Sequence, residues 1–227
     1  MPGPDGPPLV KPAPWERVYR DGRDLFTVNR NPGTKVYGEL LVTVDGVEYR
    51  GWDPFRSKLA ALLLKGAPAD LLGRPRTVLY LGAAHGTTAS HLSDLWPEAT
   101  IFAVEKSPTS FARLLALART RPGLVPILAD AQLPERYQAD VGGVDLLYQD
   151  IAQRNQAGIF AENAKACLVP RGRGILMLKV RSVTQQRPTA TVVREARSVL
   201  SAARLGVTYE TPLVPFSREH VALAVSA

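Results

Sequence analysis

Beyond residue 75, five short apolar runs alternate with segments of helical period, and that rhythm admits few folds. The runs span residues 78–81, 100–104, 125–129, 145–149 and 174–180, and the helical segments 88–95, 108–119, 156–167 and 189–203. Short apolar strands separated by helix-length crossovers build a parallel sheet covered on both faces. The tail adds runs at 206–212 and 220–225 with no long helix between them, which predicts a closing antiparallel pair. The expected class is therefore α/β.

In such a sheet, ligands collect at the carboxyl ends of the strands. The first strand ends at Gly82-Ala83-Ala84-His85-Gly86, and Thr87-Thr88 opens a helix. Small residues there let backbone N–H groups approach a nucleotide-sized ligand, to which the helix N-terminus adds positive potential. The Gly-x-x-x-Gly spacing differs from the Gly-x-Gly-x-x-Gly of dinucleotide enzymes. The other strands end at Glu105, Asp130, Asp150 and Lys179, so charge recurs at the edge of otherwise apolar strands. Glu105 stands where an acid accepts from ribose hydroxyls, or is an ordinary polar terminus. Asp130, followed by small Ala131, suits an adenine amino group, or simply starts a turn. Asp150 and Lys179 form either a catalytic cluster or a buried ion pair between neighbouring strands.

Upstream, the chain divides into three expected regions. Residues 1–14 are a Pro/Gly-rich disordered lead-in without the apolar core of a signal peptide. Residues 15–54 form a small antiparallel β unit for partner docking, with Asp45-Gly46 as its hairpin signal. Residues 55–227 carry the large sheet, preceded by a helix that Ser57 caps and Gly66 ends.

The 227 residues carry a formal net charge of +7, and 21 of the 28 basic residues are arginine. That balance fits a phosphate-bearing partner and equally a thermophile's solvated surface. One cysteine, Cys167, excludes an internal disulfide and fits a reducing cytosol. No run approaches the ~20 apolar residues of a membrane span. Three histidines at 85, 91 and 220 show no metal-ligand spacing.

Seven segments in fixed order resemble fibrillarin: Trp52-Asp-Pro-Phe-Arg-Ser-Lys58, Leu81 to Thr88, Ala103-Val-Glu-Lys-Ser107, Pro126 to Ala131, Tyr148-Gln-Asp-Ile-Ala-Gln153, Lys179-Val-Arg-Ser182 and Glu219-His-Val-Ala-Leu223. The resemblance covers residues 36–224 and points to the archaeal form, because the Gly/Arg-rich tail of the eukaryotic proteins is missing. It implies a seven-stranded Rossmann-like methyltransferase sheet, the last strand antiparallel. It implies transfer of methyl from S-adenosylmethionine to ribose 2′-hydroxyls of rRNA and tRNA, in the cytoplasm of an archaeal cell. The implied setting is a box C/D guide ribonucleoprotein with a Nop-family scaffold protein and a kink-turn-binding protein of the ribosomal L7 type.

By the same matching, the catalytic tetrad falls on Lys58, Asp150, Lys179 and His220, with Asp150 orienting Lys179. Cofactor contacts fall on Gly82, Ala83, Thr87, Thr88, Glu105, Lys106, Asp130, Ala131, Asp150, Ile151, Ala152 and Gln153. His85 replaces the family's small serine in the glycine loop. RNA contacts are expected on Arg50, Arg56, Arg154, Arg181 and Arg187, with no aromatic RNA-reading motif beside them. The competing reading is a non-catalytic Rossmann-like scaffold subunit, which would have lost Lys58, Asp150 or Lys179. A small-molecule methyltransferase would show a substrate lid and no basic excess.

Overall fold

The computed structural model describes residues 10–184 and 186–227. Most of the expected lead-in, residues 1–9, lies outside the described residues. Disorder does not extend to residue 14, however, because β1 (Lys11–Pro12) pairs antiparallel with β2 (Val18–Asp21). The small sheet continues through β3 (Asp24–Val28), β4 (Leu41–Val44) and β5 (Val47–Gly51) in the order β1-β2-β3-β5-β4. Asp45 and Gly46 both take positive φ, the conformation a tight two-residue hairpin needs.

Helix α1 (Lys58–Leu64) follows, with Ser57 Oγ accepting from the Ala60 N–H as its cap. The large sheet then builds as β6 (Thr77–Leu81), α2 (Thr87–Leu95), β7 (Thr100–Glu105), α3 (Pro108–Ala118), β8 (Leu124–Leu128), α4 (Gln138–Val141), β9 (Val144–Gln149), α5 (Gln156–Cys167) and β10 (Leu168–Lys179). It closes with α6 (Val180–Val183), α7 (Thr189–Ala202), β11 (Gly206–Pro212) and β12 (His220–Ser226). Strand β10 begins six residues earlier than expected, running through Pro170 and Gly172 to pair with β9 and β12. Directly after Lys179 the chain makes the helical turn α6.

The order β11-β12-β10-β9-β6-β7-β8 has β12 antiparallel to both neighbours, while β6 to β10 run parallel. Alternating residues face opposite layers. Val78, Tyr80, Leu146, Tyr148, Ile175 and Met177 pack with α1, α2 and the small sheet, whereas Leu79, Leu81, Leu147, Leu176 and Leu178 pack with α5 and α7. One edge strand, β8, holds Pro126 at its middle; the other, β11, shifts register between Val207 and Tyr209.

Successive strands wind outward from β6 in one direction and from β9 in the other, so the crevice opens between these two. Leu81 pairs with Gln149 there, and the Asp150 N–H donates to the Leu81 carbonyl at 2.9 Å. That register sets Gly82 beside Asp150.

The small sheet is welded to α2 by buried charge. Arg50, on β5, is fully buried, which corrects its expected place on an RNA-facing rim. Its guanidinium lies 3.0 Å from Glu39 and 2.9 Å from Asp94, without hydrogen-bond alignment, and donates to Ser90 Oγ at 2.6 Å. Arg121 reaches the other Asp94 oxygen at 2.6 Å. His91 stacks on Trp52 and bridges the Thr27 and Tyr37 hydroxyls at 2.9 and 2.8 Å.

Candidate active site

The carboxyl edge holds a cleft of about 300 Å³ lined by the glycine loop, the turn after β9, and Arg56, Lys58, Lys179 and His220. Four elements deliver the polar cluster: α1 starts with Lys58, β9 leads into Asp150, β10 ends at Lys179 and β12 starts with His220. Because β12 alone runs backwards, its first residue lies at the edge where the parallel strands end; His220 pairs in register with Lys179.

Asp150 binds Lys58, not Lys179, at 2.7 Å. This corrects the expected partner: α1 carries its first side chain directly over the β9 end, and Lys179 leans instead toward Glu219 at 3.8 Å. Burial pushes the Asp150 carboxyl up, and Lys58 and then Lys179 work against that rise. Lys179 is held through its backbone. Gln156, itself buried, accepts the Lys179 N–H at 2.8 Å and donates to its carbonyl at 3.0 Å. Gln149 in turn donates to the Gln156 carbonyl at 2.8 Å.

His220 is buried, and burial together with Lys58 and Lys179 pulls its imidazole down to about 3. Burial likewise holds His91 well below the ordinary value of 6.5, with Arg50 and Arg121 adding to it. Both rings bind protons more readily in the unfolded chain, so folding stability is full above about 6.5 and declines as pH falls toward 3. Denaturant melts at pH 7, 5.5 and 4.5 are expected to show that decline, and His220→Gln to flatten part of it. Equal slopes for the two proteins would refute the assignment.

The glycine loop is built for close approach. A Cβ on Gly82 would sit 2.3 Å from the Asp150 carbonyl oxygen and 2.8 Å from Ile151 Cγ2, and its φ is +82. Helix α2 starts at left-handed Gly86 without a side-chain cap, so its first N–H groups stay available to a ligand. This cradle fits the cofactor expected from sequence, with Gly82, Ala83, Thr87, Thr88, Ile151 and Ala152 in the lining. Gly82→Ala is expected to weaken S-adenosylmethionine binding about tenfold or more and to cost about 1–3 kcal/mol of stability through strain. Gly142→Ala, with φ +66 and open space around it, serves as the control for strain alone. Calorimetric titration of both variants decides it; equal affinities would overturn the contact.

Glu105, Lys106, Asp130, Ala131 and Gln153 do not line the cleft itself; Lys106 and Gln153 meet the Asp130 carboxylate at 3.7 and 2.9 Å. Glu105 is committed to the backbone, accepting from Ala84 N–H at 2.8 Å and Ser107 N–H at 2.7 Å. Burial pushes the Asp130 carboxyl up, but the Gln132 N–H, the Gln153 amide and Lys106 outweigh it and hold the group below its usual range. Ala131 is buried, and its carbonyl accepts from Asn163 at 2.8 Å.

Among the expected RNA contacts, Arg56 and Arg154 are exposed and have no carboxylate within ion-pair distance among the described residues. Arg181 lies 3.6 Å from Glu219, and Arg187 grips both oxygens of Glu195 at 2.6 and 2.8 Å. Sequence reasoning missed Tyr80 at the cleft floor, although a tyrosine in an apolar strand is a readable signal. It also missed the Gln156 clamp, for which one glutamine at a helix start gives no signal.

A seven-stranded sheet in this order, with one reversed strand and a glycine loop at its crevice, defines the Rossmann-like methyltransferase class. The fibrillarin family model matches residues 14–227. A relative from Methanothermobacter thermautotrophicus, a fibrillarin-like rRNA/tRNA 2′-O-methyltransferase, is 39% identical over 92% of this chain and 93% of its own. Aeropyrum pernix fibrillarin, solved with natively bound S-adenosyl-L-methionine, superposes with TM-score 0.86 at 39% identity over 95% of this chain and 97% of its own. The fibrillarin of a fibrillarin/Nop5p complex gives TM-score 0.81 at 40% identity, covering 93% and 97%. This chain belongs to the fibrillarin family.

Proposed function

We infer that this chain transfers methyl from S-adenosylmethionine to ribose 2′-hydroxyls of rRNA and tRNA. One observation carries the reading: Lys58, Asp150, Lys179 and His220, distant in sequence, meet at one cleft beside the glycine loop. When bound, S-adenosylmethionine supplies a methyl group already activated on sulfonium, so the chain's own work is alignment and proton handling. Gly82, Ala83, Thr87, Thr88, Ile151 and Ala152 hold it, and Glu105, Lys106, Asp130, Ala131 and Gln153 take its nucleoside end. Lys58, fixed by Asp150, presents positive charge to the 2′-oxygen as negative charge develops there. Lys179, whose backbone Gln156 locks, receives the 2′-proton in its neutral amine form and becomes the ammonium. His220 stays neutral at physiological pH and completes the polar wall, one ring nitrogen 2.7 Å from Ser217 Oγ.

The working form is a cytoplasmic particle. A Nop-family scaffold docks on the small sheet of residues 15–54, a kink-turn-binding protein of the ribosomal L7 type anchors a box C/D guide RNA, and the guide selects the target. The complex of a relative with Nop5p supports the scaffold. An excess of arginine without a sequence-reading motif supports delegation of target choice to the guide. Incubation with methyl-labelled S-adenosylmethionine, with and without the guide components, tests the reading. Label on ribose only in the full particle is expected; a particle that assembles without transferring label would make the chain a non-catalytic scaffold.

A further inference from the structure

The turn that delivers Lys58 also places Arg56 in the lining of the cleft. Its Asp53 carboxylate accepts the Phe55 N–H at 2.8 Å, and its Asp53 carbonyl accepts the Ser57 N–H at 2.9 Å, so the turn is rigid. Phe55 is 70% exposed, far more than an aromatic ring in a fixed turn needs to be. It stands edge-on to Phe216, with ring centroids 5.4 Å apart, and Phe216 is anchored against the core. The two rings come from segments some 160 residues apart, which is why the sequence shows no aromatic motif here.

Beside them, Arg56 lines both the catalytic cleft and a wide groove of about 1040 Å³ that also contains Phe55 and Phe216. Of the groove's acids, Glu39 is buried against Arg50, the Asp53 carboxylate caps its own turn, and Asp24 is exposed at the start of β3. The Arg56 guanidinium is left without a carboxylate partner among the described residues.

An unpaired guanidinium next to an exposed, braced ring suits a sugar–phosphate backbone: the cation takes a phosphate, and the ring covers the apolar face of a sugar. We propose that Arg56, Phe55 and Phe216 form a subsite for the ribose–phosphate unit adjoining the methylated nucleotide of the target strand. The subsite reads no base. It holds the target strand near Lys58, the residue two places after Arg56, without touching the reacting ribose. The proposal rests on the RNA methyltransferase reading above.

The test is steady-state methylation in the reconstituted guide particle with Phe55→Ala, Arg56→Ala and Phe55→Tyr. KM for target RNA is expected to rise about tenfold in each alanine variant, equally for targets of different sequence. Turnover at saturating RNA stays within about twofold, and Phe55→Tyr restores KM. Arg56→Ala lowers the salt dependence of target binding by about one phosphate contact, and Phe55→Ala leaves it unchanged. Unchanged KM in both alanine variants overturns the subsite while the wild-type particle still methylates. Loss of co-elution with the scaffold protein at unchanged KM overturns it too and assigns the patch to a protein face. An assembled but inert wild-type particle refutes the parent reading, and the subsite with it.

Discussion

Lys179→Ala is expected to lower turnover by about 10²–10⁴-fold while leaving S-adenosylmethionine affinity within about twofold. The separation follows from position. The cradle lies at the ends of β6 and β9, whereas Lys179 ends β10 on the far side of Asp150. Removing its side chain leaves Gln156 still bonded to the residue's backbone N–H and carbonyl, so the strand end keeps its place. What is lost is the amine proposed above to take the 2′-proton. Lys179→Arg is expected not to rescue activity, because a guanidinium stays protonated and cannot take the 2′-proton. Single-turnover methylation beside calorimetric cofactor titration measures both quantities. Parallel loss of cofactor binding would show that residue 179 belongs to the cradle.

The largest expected loss of stability comes from Asp94→Ala. Both carboxylate oxygens are buried and engaged: one meets Arg50 at 2.9 Å and accepts from Thr27 at 3.1 Å, and the other meets Arg121 at 2.6 Å. Removing the carboxylate leaves two guanidinium groups in the interior, with Glu39 alone to balance them. Breaking one side of a buried ion pair costs about 3–5 kcal/mol, and here one deletion unbalances two cations. Urea denaturation of wild type and variant should show that loss, first as weakened attachment of the small sheet, since Arg50 and Thr27 belong to it. A cost under about 1 kcal/mol would mean that water reaches this cluster.

Much of the large sheet was legible because its signals are local. Apolar runs of strand length, Ser57 before α1 and Asp45-Gly46 between β4 and β5 act through neighbouring residues. The charged strand ends were legible because a polar side chain closing an apolar strand has few uses. Burial of long side chains was not. Arg50 sits in an alternating hairpin that reads as solvent-facing; only the arrival of Asp94, 44 residues later, turns it inward. The partner of Asp150 was equally hidden, since the choice between two lysines depends on where α1 crosses the sheet. The extension of β10 through Pro170 and Gly172 defeats local propensity; pairing on both sides supplies what those residues lack.

The outer strands of the large sheet carry a further consequence. An unguarded edge invites another chain to zip onto it. In β8, Pro126 withholds an N–H from the middle of the strand, and in β11 the slip between Val207 and Tyr209 interrupts regular spacing of donors and acceptors. Backbone-to-backbone lamination is thereby discouraged on both flanks. A chain guarded in this way on both flanks can be crowded without seeding fibrils, because its associations are left to side chains that can be made and released.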